Sequence, residues 1–576
     1  MRILLLSHSF NSLTQRLHGE LGRRGHVVSV ELDIADSVTE EAVTLFRPDV
    51  LVAPFLKRRI PESVWRALPC LVVHPGIPGD RGPSALDRAV LRGEAEWGVT
   101  VLQADGEFDA GPVRAWRGFP MREAAKGSLY RHEVTCGAVE AVLEAIGLVG
   151  GPPAALAALR GQPWPLLRQA ERAIDWARHG SAEVLRRIRS GDGNPGLADA
   201  LFGQACHLFD AHPVTPAALA AAPPGAPGEV VARRANALLR RTVDGGVWIG
   251  HARRAPTAGP PDDEPPLKLP ATDAFTEQAA ALPELPVPLR RDAGEWDELH
   301  YEELGPPGAR VGVLAFEFYN GAMSTRQCRR LRDALGEARR RDTQVLLLTG
   351  GADFFSNGIH LNTIEAAAQR EGDSAADESM RNIEAIDDVA LEIISMTDRV
   401  TIAAMRGNAG AGGVFLALAA DEVWAHEGVV LNAHYRNMGN LYGSEYWTYL
   451  LPRRIGPERA QALMHERLPL GARAAAELGL IDVTFGSGGA GFLRETLARA
   501  QALAGQNLIS RLAQKQQRRA ADEATKPLAE YRREELAQMH RNFYGFDPSY
   551  HVARYHFVHK LAHAWTPRHL AVHRKQ

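Results

Sequence analysis

An α/β fold of several domains is what the sequence predicts, on three observations. From Ile3 to about Ile146, short β-rich runs alternate with helical patterns. A proline-rich stretch then divides the chain near its middle, and the same alternation resumes beyond it. At 576 residues the chain also exceeds what one hydrophobic core supports, so roughly two to four domains are expected.

Composition removes several function classes. A formal net charge of −3 argues against general affinity for nucleic acid or anionic membrane. No apolar run approaches the roughly 20 residues that span a bilayer. Met1 to His8 has only a four-residue apolar run, Ile3 to Leu6, before polar residues, and reads as a first β-strand rather than a signal peptide. Four scattered cysteines (Cys70, Cys136, Cys206, Cys328) without CxxC spacing suggest reduced thiols in a cytoplasmic protein, with no disulfide frame or zinc site.

In chain order, Ile3 to Leu6, Val27 to Leu32, Val50 to Ala53 and Cys70 to Val73 read as strands of a mostly parallel sheet. The first is followed by Ser7-His8-Ser9-Phe10-Asn11-Ser12 in place of GxGxxG, which argues against a nicotinamide cofactor. The fourth ends in His74-Pro75-Gly76, at the strand edge where ligands of open α/β sheets bind. Gly98 to Gln103 alternates like a strand and leads into Ala104 to Pro112.

This arrangement resembles the folate-dependent formyltransferases, whose motif is Asn-x-His followed by Gly-Val-Thr and Leu-Asp-x-Gly. His74 matches the family histidine and Asp109 the family aspartate. The family asparagine falls at Val72, and the loop after His74 is one residue shorter. The missing amide weakens the case for ordinary formyl transfer to an amine. The resemblance implies N10-formyltetrahydrofolate as formyl donor, with Gln103 among its contacts. An aspartate can hold a histidine charged or in a chosen tautomer, and such a pair can polarise a formyl group and manage the proton of the leaving folate nitrogen. We assign 1–160 to this Rossmann-like domain. Residues 161–255, with Ile174-Asp175-Trp176, a helical pattern at Ala182 to Arg189 and a strand-flanked turn at Val243 to Gly250, resemble the family's small C-terminal β-barrel. Packing and binding roles are equally weighted there. Nine prolines between Ala255 and Pro288 make 256–290 a semi-rigid linker, centred on Pro260 to Pro266, and the main boundary.

In the remainder, 291–576, Arg310 to Phe316 and Gln344 to Gly350 read as strands around an amphipathic helix from Ser324 to Arg341. Val400 to Met405 is a strand that breaks into Arg406-Gly407-Asn408-Ala409-Gly410-Ala411-Gly412-Gly413 and continues as a helix from Val414 to Ala420. Glycines let backbone approach a ligand, and the free amides of a helix start favour an oxyanion. With Leu348-Thr349-Gly350 and Phe355-Ser356-Asn357-Gly358-Ile359-His360, where histidine replaces the usual aspartate, this series resembles the crotonase (enoyl-CoA hydratase/isomerase) superfamily. The resemblance implies that the Ile359 and Gly412 amides bind the thioester oxygen of an acyl-CoA. The two hydratase carboxylates fall at Phe415 and Tyr435, which disfavours hydration. Tyr435 and Glu445 remain, in a stretch from Asn432 to Tyr446 read as a polar, irregular loop outside the core. A helical tail follows. In it His556, His559 and His563 share a helical face without acidic or cysteine partners, so helix packing is expected rather than a metal. Arg541 and Lys560 are candidates for CoA phosphates.

A formyl-folate module joined to a CoA-thioester module, ending in Asn542-Phe543-Tyr544-Gly545-Phe546-Asp547-Pro548-Ser549-Tyr550, resembles the nickel–iron hydrogenase maturation proteins of the HypX/HoxX type. The resemblance implies synthesis of carbon monoxide for the hydrogenase iron, by formyl transfer to coenzyme A and loss of CO from formyl-CoA. It also implies hydrogenase large subunit or other maturation proteins as partners. Formyl-CoA has no α-carbon, so its only C–H is the formyl hydrogen; Glu445 is the expected proton shuttle, with Tyr435 orienting or donating to the thioester. The alternatives are a formyl-folate hydrolase with a scaffolding second half, and a non-catalytic assembly factor.

Overall fold

The computed structural model describes residues 1–154, 160–256, 266–291, 294–486 and 488–575. The chain divides into two compact units, Met1–Leu285 with Ala562–Gln576, and Pro286–Leu561. Among the described residues, no helix is long and apolar enough to cross a membrane.

In the first unit, β1 (Arg2–Ser7), β2 (Val27–Leu32), β3 (Val50–Phe55), β4 (Cys70–His74), β5 (Glu96–Gln103) and β6 (Val113–Pro120) form one sheet in the order β2-β1-β3-β4-β5-β6. The first four are parallel, β5 runs antiparallel to β4, and β6 runs antiparallel to β5. Buried on both faces, Ile3 to Leu6 is apolar throughout, as a central parallel strand requires. Helix α1 (Ser12–Arg23) starts at Asn11, whose side chain accepts the Thr14 amide, and buries Leu13, Leu17 and Leu21 along one face.

The small domain is a second, antiparallel sheet. Helix α2 (Ser181–Gly191) packs on β7 (Leu197–Leu201), β8 (Gln204–Pro213), β9 (Val230–Arg234), β10 (Ala237–Arg241) and β11 (Gly246–Arg254), ordered β7-β8-β11-β10-β9. Residues 257–265, the centre of the expected linker, lie outside the described residues. From Pro266 to Leu285 the structure departs from that expectation. Strand β12 (Leu269–Pro270) pairs with β11, and Phe275 is buried in the small-domain core. Apolar side chains set between the prolines give this segment something to bury, so it folds.

The other departure from a 291–576 domain is Ala562–Gln576, which belongs to the first unit. Val30 N donates to Leu570 O (3.0 Å) and Leu32 N to Thr566 Oγ1 (2.8 Å), satisfying the free edge of β2. The buried His573 Nε2 meets Glu31 Oε2 at 2.9 Å.

In the second unit, β13 (Leu299–Leu304) runs antiparallel to β14 (Val311–Phe316). Parallel strands β15 (Val345–Gly350), β17 (Val400–Met405), β19 (Glu422–Ala425) and β22 (Val483–Thr484) follow in that order. A smaller sheet, β16 (Phe354–Ser356), β18 (Asn408–Gly410), β20 (Val430–Asn432) and β21 (Leu470–Gly471), stands beside it. Helices α3 (Thr325–Arg339), α4 (Leu361–Ala367), α5 (Ala375–Ile394), α6 (Gly412–Leu418), α7 (Leu528–Tyr544) and α8 (Ser549–Val558) contribute to the unit. The core joins β14, β15, α3, α5 and α6 to Met539 and Phe543 of α7 and Tyr550 of α8.

Candidate functional site

In each unit one cluster of buried acid–base groups lies at the residues that the motifs single out. In the first, β4 delivers His74 to the carboxyl edge of the sheet, where it is 4% exposed. Its Nδ1 lies 3.5 Å from Asp109 Oδ1 and its Nε2 3.1 Å from Asp80 Oδ2. Asp109 adopts φ 52° and accepts the Gly82 amide at 3.1 Å. Gly76 closes the turn, since a Cβ there would fall 2.4 Å from His74 Nε2, and its carbonyl accepts Thr100 Oγ1 at 2.7 Å. Burial works against a charged imidazole, but Asp109 and Asp80 outweigh it and raise His74 to about 9. Burial would raise Asp109, yet His74 and the Gly82 amide hold it below its ordinary value. Asp80 escaped the sequence reading because its role depends on a loop folding back on the strand it leaves.

Gln103 stands apart from this pair. It faces Leu71 in the β4–β5 ladder, three positions from the His74–Thr100 pairing, and its main-chain N donates to Pro112 O at 2.9 Å. The antiparallel direction of β5 sends its last residue away from the His74 edge.

In the second unit, β17 leads into a helix start as expected, but the expected glycine loop holds the short strand β18, and α6 begins just after Ala411, two residues before Val414. Ala411 is held at φ 47°, ψ −127°, a costly conformation for a residue with a Cβ. Ile359 follows Gly358, where a Cβ would sit 3.4 Å from the Gly412 nitrogen, so the two strand ends meet at the start of α6. Neither the Ile359 nor the Gly412 amide donates to another protein group among the described residues. Asn382 of α5 braces this corner, accepting His360 N at 3.1 Å and donating to Met323 O at 2.9 Å.

Tyr435 donates a hydrogen bond to Glu445 Oε2, and also lies 3.1 Å from Ser444 O. The Tyr435 ring stacks on Phe415 with centroids 5.5 Å apart and planes at 14°, so both positions hold packed aromatic rings. The other glutamate oxygen rests against α6, for a Cβ on Gly412 would fall 2.1 Å from Glu445 Oε1. Only glycine leaves room for that approach.

The expectation that Asn432 to Tyr446 lies outside the core is corrected here. Tyr435, Ser444, Glu445 and Tyr446 are all buried, Glu445 to 1% exposure. The stretch is irregular, but α5 and α7 cover it and supply its hydrogen bonds. Asp387 of α5 accepts Glu445 N at 2.8 Å, with Ser444 Oγ 2.7 Å from its Oδ1. Glu535 of α7 accepts Tyr446 N at 2.9 Å and Thr448 N at 2.8 Å. Both carboxylates were missed in the sequence, since a charged residue within a polar helix carries no local mark of burial. Burial first and the Asp387 charge second push Glu445 well above the usual carboxylate range. Burial also raises Asp387, opposed by Ser444, the Glu445 amide and Arg532. The Tyr435 phenol is driven upward by burial and by Glu445.

The remaining candidates lie elsewhere. Arg541 is exposed near the end of α7, with Nη1 3.4 Å from Gln538 Oε1. Lys560 Nζ sits 4.0 Å from the Phe557 ring centroid. The three histidines do not share a helix, because α8 ends at Val558. His559 does have an acidic partner, Glu365, at 3.5 Å, and Arg554 reaches the same carboxylate at 2.6 Å.

Comparisons with known proteins match successive stretches of the chain to different families. The formyl transferase family model matches residues 31–127, the formyl transferase C-terminal domain 166–257, and enoyl-CoA hydratase/isomerase 316–568. A methionyl-tRNA formyltransferase of Dechloromonas aromatica is 26% identical over 39% of this chain and 71% of its own length. The hydrogenase maturation factor HoxX of Bradyrhizobium diazoefficiens is 55% identical, over 100% of this chain and 97% of its own. The crystal structure of HypX from Aquifex aeolicus in complex with tetrahydrofolic acid superposes with a TM-score of 0.92 at 44% identity, covering 100% of this chain and 99% of that one. With a formyltransferase module, a hydratase-like module and full-length identity of this order, the chain belongs to the HoxX/HypX family of hydrogenase maturation factors.

Proposed function

We propose that the chain makes carbon monoxide for the iron of a nickel–iron hydrogenase, with N10-formyltetrahydrofolate and coenzyme A as substrates. In the first reaction the C–N bond to folate N10 breaks and a C–S bond to the CoA thiol forms, while the thiol proton ends on N10. His74, held as an imidazolium by Asp80 and Asp109, acts as the acid, donating toward the formyl oxygen or the departing nitrogen. The tetrahydrofolic acid held by the related HypX of Aquifex aeolicus supports a folate substrate.

In the second reaction formyl-CoA loses CO. The thioester oxygen takes the free amides of Ile359 and Gly412, and Glu445 handles the one proton that moves. Glu445 gives its proton to sulfur as the C–S bond breaks, and its carboxylate then takes the formyl hydrogen as CO departs. Atoms and charge balance, and the carboxyl returns to its starting state. Tyr435 keeps Glu445 Oε2 occupied, so the other oxygen faces the helix start. The observation that carries this reading is the Tyr435–Glu445 pair set against Gly412, where the hydratase carboxylates are replaced by aromatic rings.

The test traps CO with a haemoprotein, using formyl-folate with and without CoA. CO released only in the presence of CoA supports the reading. Formate without CO identifies a formyl-folate hydrolase, and no turnover of any formyl donor identifies a non-catalytic assembly factor.

A further inference from the structure

We propose that Asp387 and Glu535 are positioning residues for the Tyr435–Glu445 pair, holding its turn through main-chain amides and fixing the glutamate carboxyl against Gly412. This deepens, and rests on, the reading of the second unit as a thioester-cleaving site.

The turn from Tyr442 to Thr448 is strained. Gly443 has φ 96°, and both Glu445 and Tyr446 sit at φ 60°. Two successive non-glycine residues in the left-handed region are costly, and persist only where surrounding structure imposes them. Here side chains supply that constraint. On α7, Glu535, Met539 and Asn542 project from one face at i, i+4 and i+7, and each meets the turn's backbone. Glu535 takes the Tyr446 and Thr448 amides, Met539 Sδ the Gly443 amide at 3.2 Å, and Asn542 Oδ1 the Tyr442 amide at 3.0 Å. From the opposite side, Asp387 of α5 takes the Glu445 amide and the Ser444 hydroxyl.

Packing alone would not select this. Asp387 and Glu535 are both 0% exposed, and a carboxyl group is costly to bury unless hydrogen bonds or a paired charge offset the lost water. Apolar residues at both positions would pack as well, but would leave the amides of Glu445, Tyr446 and Thr448 without these acceptors and let the turn relax.

The charge around Glu445 follows the same plan. Facing it or its immediate partners are Cys328 of α3, Tyr435 of its own loop, Asp387 and Asp388 of α5, and Glu535 and Arg532 of α7. The cation lies beyond Asp387, with Arg532 Nε 3.8 Å from Asp387 Oδ2 and Nη1 2.7 Å from Asp388 Oδ1. Arg532 therefore favours charge on Asp387, and Asp387 in turn disfavours charge on Glu445.

The test uses the full-length protein and the variants Asp387→Asn, Glu535→Gln and Glu445→Gln. The protonated carboxyl band of Glu445 is identified in the infrared as the one absent from Glu445→Gln, and its titration midpoint is followed. The midpoint falls by about one pH unit or more in Asp387→Asn, which removes the like charge beside the glutamate, and shifts in Glu535→Gln, which releases the turn that carries it. In both, kcat for CO release from formyl-CoA drops about tenfold or more, with KM within about threefold of the parent. A lowered melting temperature with unchanged midpoint and kcat would make the two residues purely structural and overturn the proposal. If Asp387→Asn does not fold, Glu535→Gln decides in the same way. CO release unaffected by Glu445→Gln, together with a shifted midpoint in the other variants, leaves the positioning role standing and removes the thioester reading.

Discussion

His74 and Glu445 are both buried titratable groups with an aspartate at hand, yet the surroundings favour the charged form of the first and the neutral form of the second. Around His74 the carboxylates of Asp80 and Asp109 reach the ring nitrogens themselves, so the cation is paired and burial is overruled. Around Glu445 the neighbouring Asp387 spends its oxygens on a main-chain amide and a serine hydroxyl, so it acts on the glutamate only as a like charge. The difference teaches that burial sets the stakes while the partnering of the charged form sets the sign. One unit keeps a cationic acid and the other a neutral one, and proton transfers of different kinds suit each.

The largest effect should separate the two sites outright. Glu445→Gln is expected to lower CO release by about 10²–10⁴-fold, while formyl-CoA still forms from formyl-folate and CoA and accumulates, as mass spectrometry of the thioester pool would reveal. His74→Gln should do the converse, cutting formyl-CoA formation by about 10²-fold or more and leaving CO release from supplied formyl-CoA at the parental rate. If either variant silenced both reactions, the division of labour between the units would be wrong.

Smaller effects sharpen the electrostatic contrast. Replacing Gly412 by alanine puts a methyl where Glu445 Oε1 now rests, and a fall in kcat for CO release of about tenfold is expected as the carboxyl is displaced. Asp80→Asn removes one of the two charges on His74, so its ring titration, read by NMR, should move down from about 9 while that of a surface histidine stays put.

The smallest effect is on stability against pH. A raised folded pKa means the native state binds the extra proton, so the stabilisation is complete below the ordinary value and is lost as pH rises to the folded one. For His74 the window runs from 6.5 to about 9. For Glu445 the loss begins lower, above 4.5. Denaturant melts followed by probes placed in each unit should therefore show the second unit weakening first as pH is raised. In Asp80→Asn the first unit should become less sensitive between 6.5 and 9.

Much of the fold was legible because it is written in local pattern. The strands at Val27–Leu32 and Val400–Met405 were read at their observed bounds, and the glycine run before α6 announced a helix start with open amides. His74 with Asp109 and Tyr435 with Glu445 were legible as candidates, and the structure brings each pair together. Illegible were the acceptors that arrive from far along the chain. Asp387 and Glu535 stand 58 and 89 positions from the amides they hold, and nothing in their own helices distinguishes them from solvated acids. The distance of Gln103 from the His74 edge was illegible for a related reason, because strand direction, which decides the edge a residue reaches, follows from pairing and has no local signature.

The sequence by itself determined the alternation of elements, the two modules and the chemical types present at each site, since hydrophobic period, glycine placement and residue chemistry are properties of neighbours in the chain. Tertiary structure alone decided three further things. It carried Pro266–Leu285 and Ala562–Gln576 into the first unit, because their apolar groups and hydrogen-bond partners lie there. It buried the Asn432–Tyr446 stretch, because two distant helices cover it and accept its amides. And it set which acid is charged, because a proton's free energy depends on every dipole and charge within a few ångströms, whatever their distance along the chain.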